Sequence, residues 1–93
     1  LNDCVLQSNA SSLNGYSGFS TTYAGGKVDD NTSSANAHHG FNIQVAGGCQ
    51  ITRNTTSGNG INAFNVLGGN AFATVITAAT INSNTNPFAN FQL

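Results

Sequence analysis

The chain has 93 residues, a length that suits one small domain spanning residues 1–93. Two basic and three acidic side chains give a formal net charge of −1, so the composition offers no electrostatic basis for binding nucleic acid or an anionic membrane. No apolar run is long enough to span a bilayer. With 39% hydrophobic residues and so little charge, the chain is predicted to be ordered rather than a disordered low-complexity segment.

Three similar units follow one another along the chain at a nearly constant spacing. They align without a gap as residues 6–19 (LQSNASSLNGYSGF), 28–41 (VDDNTSSANAHHGF) and 51–64 (ITRNTTSGNGINAF). A period this short is typical of a solenoid, in which each unit buries its apolar side only against its neighbours.

Each unit begins with an aliphatic residue, reaches a phenylalanine and closes on a pair of glycines. The predicted stacks are Leu6, Val28 and Ile51 for the aliphatics, and Phe19, Phe41 and Phe64 for the aromatics. After each phenylalanine, apolar and polar residues alternate with period two, which indicates a strand with one buried face. We therefore predict an all-β fold of parallel coils at residues 4–26, 27–48 and 49–70, followed by a C-terminal strand and cap at 71–93.

Asparagine recurs at two fixed positions of the unit. The two columns are Asn9, Asn31 and Asn54, and Asn14, Asn36 and Asn59. Successive parallel coils lie about 4.8 Å apart, so side chains at equivalent turns stack directly on one another. Stacked amides can hydrogen-bond along the column. We predict two asparagine ladders, which end where the repeat ends after Gly69.

These units resemble the right-handed parallel β-helix repeat proteins of the pectate-lyase-like superfamily, whose coils often read as an aliphatic, two residues and then NTxxGN before a glycine-bounded strand. Residues 51–60 (ITRNTTSGNG) match that pattern closely, and residues 70–91 (NAFATVITAATINSNTNPFANF) resemble the C-terminal end of many bacterial members. The resemblance implies a right-handed parallel β-helix of three to four coils, each of about 22–23 residues, with a C-terminal cap. It also implies a piece of a longer protein, located outside the cell or on a virion surface.

The two cysteines occupy equivalent places in the first and third coils. Two coil spacings would separate Cys4 from Cys49 by about 9–10 Å, which is more than the Cα separation that a disulfide permits. Both thiols are predicted to be buried and reduced.

The other chemically active side chains give little indication of a metal or cofactor, and we predict neither. His38 and His39 should point to opposite faces of a strand, as a surface pair that cannot bind one metal together. Asp29 and Asp30 lack the further oxygen ligands that calcium requires. Stacking instead predicts an ion pair between Asp30 and Arg53 in the next coil.

A self-contained active site is not predicted, and no residue is assigned a catalytic role. Enzymes of the resembled superfamily use a calcium cluster with a basic residue, or two to three carboxylates. The chain has only three aspartates, and Asp3 lies far from the others in the coil order. The sequence leaves open whether this chain contributes residues to an active site that other coils complete.

A row of uncharged polar residues after each phenylalanine is the candidate binding surface. We predict that Thr22, Asn42 and Gln44 face outward and can hydrogen-bond a polysaccharide, while Tyr16 at the rim can stack on a sugar ring. Ice binding would need a stricter repeat of one residue type than this row has. A solvated face without a ligand is the simpler alternative.

The sequence thus predicts a structural, carbohydrate-associated C-terminal segment of a secreted or virion-surface β-helix protein. The alternative is a fragment of a polysaccharide lyase or a tailspike glycosidase. Pro87, Phe88 and Phe91 are predicted to cover the C-terminal end of the stack. Since nothing comparable precedes Leu6, the partners expected at the other end are upstream coils of a longer parent or further copies of this chain.

Overall fold

A computed structural model describes residues 5–22, 25–44, 47–77 and 86–93. Those residues contain short β-strands joined by turns, and no helix. The strands are β1 Val5–Gln7, β2 Ala10–Ser12, β3 Phe19–Thr21, β4 Lys27–Asp29, β5 Thr32–Ser34, β6 Phe41–Ile43, β7 Gln50–Thr52, β8 Thr55–Ser57, β9 Phe64–Val66, β10 Ala71–Phe72, β11 Val75–Thr77 and β12 Asn90–Gln92. The prediction of an all-β fold is confirmed.

The strands form three sheets, and every strand pair within them is parallel. The first sheet has the order β1-β4-β7-β10, the second β2-β5-β8-β12-β11 and the third β3-β6-β9. The chain therefore visits the three sheets in turn, once in each repeat unit. The register follows the repeat, because Leu6 pairs with Val28 and Val28 with Ile51.

The apolar core contains the two predicted stacks together with Ile43 and Cys49. The Phe41 ring lies between those of Phe19 and Phe64, with centroid distances of 5.0 and 5.1 Å and planes tilted by only 11° and 10°. Phe41 and Ile51 have no exposed surface, whereas Phe19 and Phe64 at the ends of the stack are partly exposed. A stacked ring or aliphatic side chain is most completely buried where it has a stacked neighbour on both sides.

Both asparagine ladders are present. The Asn54 Oδ1 atom accepts the backbone N–H of Asn31 at 3.0 Å and its Nδ2–H at 3.0 Å. Asn31 accepts the same two donors from Asn9, at 3.0 and 3.3 Å. In the second column Asn36 and Asn59 accept from the preceding asparagine in the same way. Each buried turn thus has its backbone donor satisfied by a side chain one unit further along.

The first ladder continues past the repeat, contrary to the sequence prediction. Asn90 accepts the backbone N–H and the Nδ2–H of Asn54, both at 3.0 Å. Its own Nδ2–H groups bond to the carbonyls of Ile51 at 3.1 Å and Ala73 at 3.0 Å. The prediction that the ladder ends after Gly69 is therefore wrong, because a residue outside the repeat takes the next rung.

The C-terminal segment is inserted into the second sheet rather than folded over its end. β12 pairs with β8 on one side and β11 on the other, so it separates strands that would otherwise be neighbours. Phe91 pairs with Thr55 and Ile76 within this sheet, while Pro87 is exposed and Phe88 is 56% exposed. The predicted apolar cover by these residues is wrong. The exposed edge of β8 gains a hydrogen-bonded partner instead, and Phe72 packs at 5.4 Å against the end of the phenylalanine stack.

Two residues of the sequence predictions lie outside the part of the chain that the structure describes. Cys4 is one, so the prediction about the two thiols stays a prediction. Cys49 is buried, and its backbone N–H bonds to Asn70 Oδ1 at 3.0 Å. Asp3 is the other.

Gly40 lies where a side chain cannot be accommodated. A Cβ atom there would lie 2.5 Å from Thr56 Oγ1 and 2.6 Å from the Ala63 carbonyl oxygen. We expect Gly40→Ala to lower the free energy of unfolding by about 1–3 kcal/mol, as overpacking typically does, measured from urea denaturation. Gly68→Ala is the matched control, because no atom lies within 4 Å of the added carbon. Equal stability of the two variants would contradict the close packing of these turns.

Candidate functional site

A cleft of about 380 Å³ opens beside the first sheet, at the end where β10 lies. Its polar walls include Lys27 from β4, and Gln50 and Thr52 from β7. Phe72 from β10 and Phe88 from the segment before β12 add two exposed aromatic rings. The cleft therefore combines apolar rings with side chains that can hydrogen-bond.

The strand register positions these groups. Lys27 pairs with Gln50, and Gln50 pairs with Ala71 of β10, so the three residues form one row across the sheet. The backbone N–H of Arg53 donates to the carbonyl oxygen of Phe88 at 3.1 Å, which fixes the Phe88 segment beside the end of β7. The insertion of β12 thus helps to build one wall of the cleft.

Both basic side chains of the chain, Lys27 and Arg53, line this cleft. Arg53 forms a two-point ion pair with Asp29, in which Nε donates to Oδ1 at 2.8 Å and Nη2 donates to Oδ2 at 2.5 Å. The Thr52 hydroxyl also donates to Asp29 Oδ1, at 2.8 Å. This pairing compensates the charge of Arg53, so Lys27 is left to give the cleft its positive charge.

The predicted ion pair between Arg53 and Asp30 is wrong, although the two residues do occupy equivalent positions in adjacent units. Asp30 is exposed and accepts the Ser8 hydroxyl at 3.0 Å. The Asp29 carboxylate is fully buried, so its two oxygens need protein donors in place of water. The guanidinium fork of Arg53 supplies one donor to each oxygen, which the exposed carboxylate does not require.

Acid pH should weaken the fold through Asp29. Hydrogen bonding to Arg53 is the main cause that lowers the pKa of Asp29 from 3.8 to about 2. Because the folded pKa lies below the unfolded one, this carboxylate contributes stability above pH 3.8 that is lost as the pH falls toward 2. We expect the urea midpoint to fall over that range, and to fall less in Asp29→Asn.

Asp30→Asn is the control for that experiment, since Asp30 is exposed and takes no part in the two-point pair. It should keep the acid dependence of the unmodified chain. An Asp29→Asn variant with the same slope as the unmodified chain would contradict the role of this carboxylate.

The His38 ring contacts both Tyr16 and His39. The His38 ring stacks on Tyr16 with a centroid distance of 4.2 Å, and it meets His39 edge-on at 4.8 Å. His39 is only 9% exposed, and burial lowers its pKa. The prediction of a surface pair with diverging rings is wrong, because the residues lie in the irregular segment before β6 and not in a strand. Within the described ranges no group of three or more His, Cys, Asp or Glu is placed to hold a metal ion.

The predicted carbohydrate-binding residues do not form one surface with the cleft. Tyr16, Thr22 and Gln44 are exposed, as expected. Asn42 is only 2% exposed, and its Oδ1 accepts the Asn65 Nδ2–H at 2.9 Å. It lies in the middle rung of the third sheet, between Ser20 and Asn65. The prediction that Asn42 faces outward to a ligand is therefore corrected: stacking covers the central rung of this row.

The cleft itself was not predicted from the sequence. The register could have placed Lys27 next to Gln50, because the repeat alignment pairs their strands. Phe88 could not have been placed, since its position depends on the insertion of β12.

Comparisons with protein-family models, with curated proteins and with solved structures find no match to this chain. Among the described residues there is also no helix of the length and hydrophobicity needed to cross a membrane.

Proposed function

We propose that this chain is a segment of a right-handed parallel β-helix, with a structural and carbohydrate-associated role outside the cell or on a virion surface. The support for the solenoid is the recurrent path through three parallel sheets, with a register that follows the sequence repeat. The side-chain ladders give each unit the same contacts with the next. Such a stack is suited to a stiff structural element.

The cleft carries the carbohydrate part of the proposal. Its volume lies within the range of about 300–1,000 Å³ that is common for small-molecule sites. The apolar face of a sugar ring can pack on Phe72 or Phe88, while Gln50 and Lys27 can hydrogen-bond its hydroxyls. The ammonium group of Lys27 further favours a sugar that carries a carboxylate.

The binding test uses neutral and uronic-acid oligosaccharides, titrated into the chain and followed by calorimetry or NMR. We expect Phe88→Ala to weaken binding about tenfold, which corresponds to about 1.4 kcal/mol. Lys27→Gln should weaken the uronic-acid ligands and leave the neutral ones nearly unchanged.

Tyr16→Ala is the matched control, since Tyr16 is an exposed aromatic residue outside the cleft. If only Tyr16→Ala lost binding, the result would place the binding site on the surface formed by Tyr16, Thr22 and Gln44 and not in the cleft. Absence of binding to every oligosaccharide at millimolar concentration would contradict the carbohydrate role.

The second candidate is a fragment of a polysaccharide lyase or a tailspike glycosidase. It is favoured by one observation, the position of both basic side chains in an open cleft. The Asp29 carboxylate, however, is fully buried and paired with Arg53, so it is not placed to act on a ligand. We expect the chain to release no unsaturated or reducing sugars from bound polysaccharide. Product release that Lys27→Gln abolishes would favour the enzyme instead.

A further inference from the structure

The two asparagine ladders run in the same direction. In every rung after the first, the Oδ1 atom accepts two hydrogen bonds from the preceding asparagine of its ladder, as Asn36 does from Asn14 at 3.1 and 2.8 Å. In each pair of stacked asparagines, the one nearer the N-terminus therefore donates and the one nearer the C-terminus accepts. The stack has a chemical polarity along its axis.

At the N-terminal face this series begins with two acceptors that receive no hydrogen bond from the described residues. No residue of the described part of the chain donates to Asn9 Oδ1 or Asn14 Oδ1, and both side chains are exposed. On the same face Leu6 and Phe19 are only partly buried, although Val28 and Phe41 one unit later are covered. The described residues place no strand on the outer side of β1, β2 or β3. Among the described residues, this face thus has neither an apolar cover nor donors for the two Oδ1 atoms.

We propose that this face binds a preceding parallel β-coil of the same polypeptide, with asparagines one repeat ahead of Asn9 and Asn14. The inference rests on the β-helix part of the proposed function and names the neighbour that such a segment takes. Each asparagine of that coil would donate its backbone N–H and Nδ2–H to one open Oδ1. An aliphatic residue would cover Leu6 and an aromatic ring would cover Phe19.

A second copy of this chain does not supply the donors that the first ladder lacks. Two N-terminal faces placed together would bring Oδ1 acceptors against Oδ1 acceptors. At the other end, the backbone N–H of Asn90 is used by the Thr74 carbonyl at 2.8 Å and its Nδ2–H groups by Ile51 and Ala73. That end is also uneven, because two strands lie beyond β8, one beyond β7 and none beyond β9 in the described residues.

The experiment extends the full chain by one coil. A copy of residues 27–44 is placed directly ahead of Leu1, so that the copied asparagines precede Asn9 and Asn14 by the same spacing that separates Asn9 from Asn31. Amide hydrogen exchange of β1, β2 and β3 is compared with that of the unextended chain. We expect exchange in these strands to slow by at least about tenfold, because their opening then requires the added coil to leave.

The matched control is the same extension with alanine in place of the copies of Asn31 and Asn36. It should protect β1 and β2 less, while circular dichroism reports whether the added residues are still β-structured. If both extensions slowed amide exchange equally, or neither slowed it, the proposal that the added coil binds through its asparagines would be overturned. Self-association of the unextended chain in sedimentation, abolished by Asn9→Ala with Asn14→Ala, would overturn the choice of a preceding coil over a second copy.

The oligosaccharide titration is repeated on the extended chain to separate the two proposals. The cleft lies at the other end of the stack, so sugar binding should not change. If sugar binding is intact but the extension does not slow amide exchange, only the preceding coil is contradicted. If the extension slows exchange but no sugar binds, only the carbohydrate role is contradicted.

Discussion

Replacing Phe41 by alanine should unfold the chain or bring it close to unfolding. The ring has no exposed surface and lies between Phe19 and Phe64, so its removal leaves a cavity and ends two stacking contacts. Deletion of a buried phenylalanine costs about 3–5 kcal/mol, which is a large part of the roughly 5–15 kcal/mol that stabilises a typical domain. Urea denaturation followed by circular dichroism measures the change.

Phe88→Ala is the control for this substitution, because it removes the same ring from a position that is 56% exposed. Its free energy of unfolding should stay near that of the unmodified chain. A Phe41→Ala variant as stable as Phe88→Ala would contradict the buried stack.

A second large loss is expected when the first asparagine ladder is interrupted at its centre. Asn54→Leu keeps a side chain of similar size but removes all hydrogen bonds of the carboxamide. It leaves the backbone N–H of Asn31 without an acceptor, and the Val28 carbonyl and Asn90 Oδ1 each lose one donor, although Asn90 Oδ1 keeps the backbone N–H of residue 54. Each buried group left unsatisfied costs about 1–3 kcal/mol, so the combined loss should rival that of Phe41→Ala in the same denaturation experiment.

Asn62→Leu makes the same chemical change at an exposed asparagine whose side chain bonds to no described residue. It should change stability by less than about 0.5 kcal/mol, as surface substitutions usually do. If Asn54→Leu proved as mild as Asn62→Leu, the ladder would contribute little to stability.

The repeat made much of the core predictable. In a parallel stack, equivalent positions lie over one another, so the repeat alignment is enough to pair Phe19 with Phe41 and Asn31 with Asn54. No knowledge of distant contacts is needed, because every such pair joins neighbouring units.

The structural features that the sequence did not predict depend on contacts that the repeat pattern does not specify. β12 lies outside the repeat, and its insertion beside β8 brings Asn90 to the donors of Asn54. Arg53 could reach either aspartate, and the choice follows from the burial of Asp29. The cleft depends on both outcomes, since Arg53 and Phe88 form part of its wall. Sequence spacing therefore predicts the stack better than it predicts the site.

The repeat units stack in register, and the C-terminal strand continues the stack. Nuclear Overhauser effects from the side-chain amide protons of Asn54, measured by NMR, test this arrangement. We predict contacts from these protons to Asn31 on one side and Asn90 on the other, together with slow exchange with solvent. Contacts to neither residue, or fast exchange of these protons, would contradict the continuous ladder and the insertion of β12.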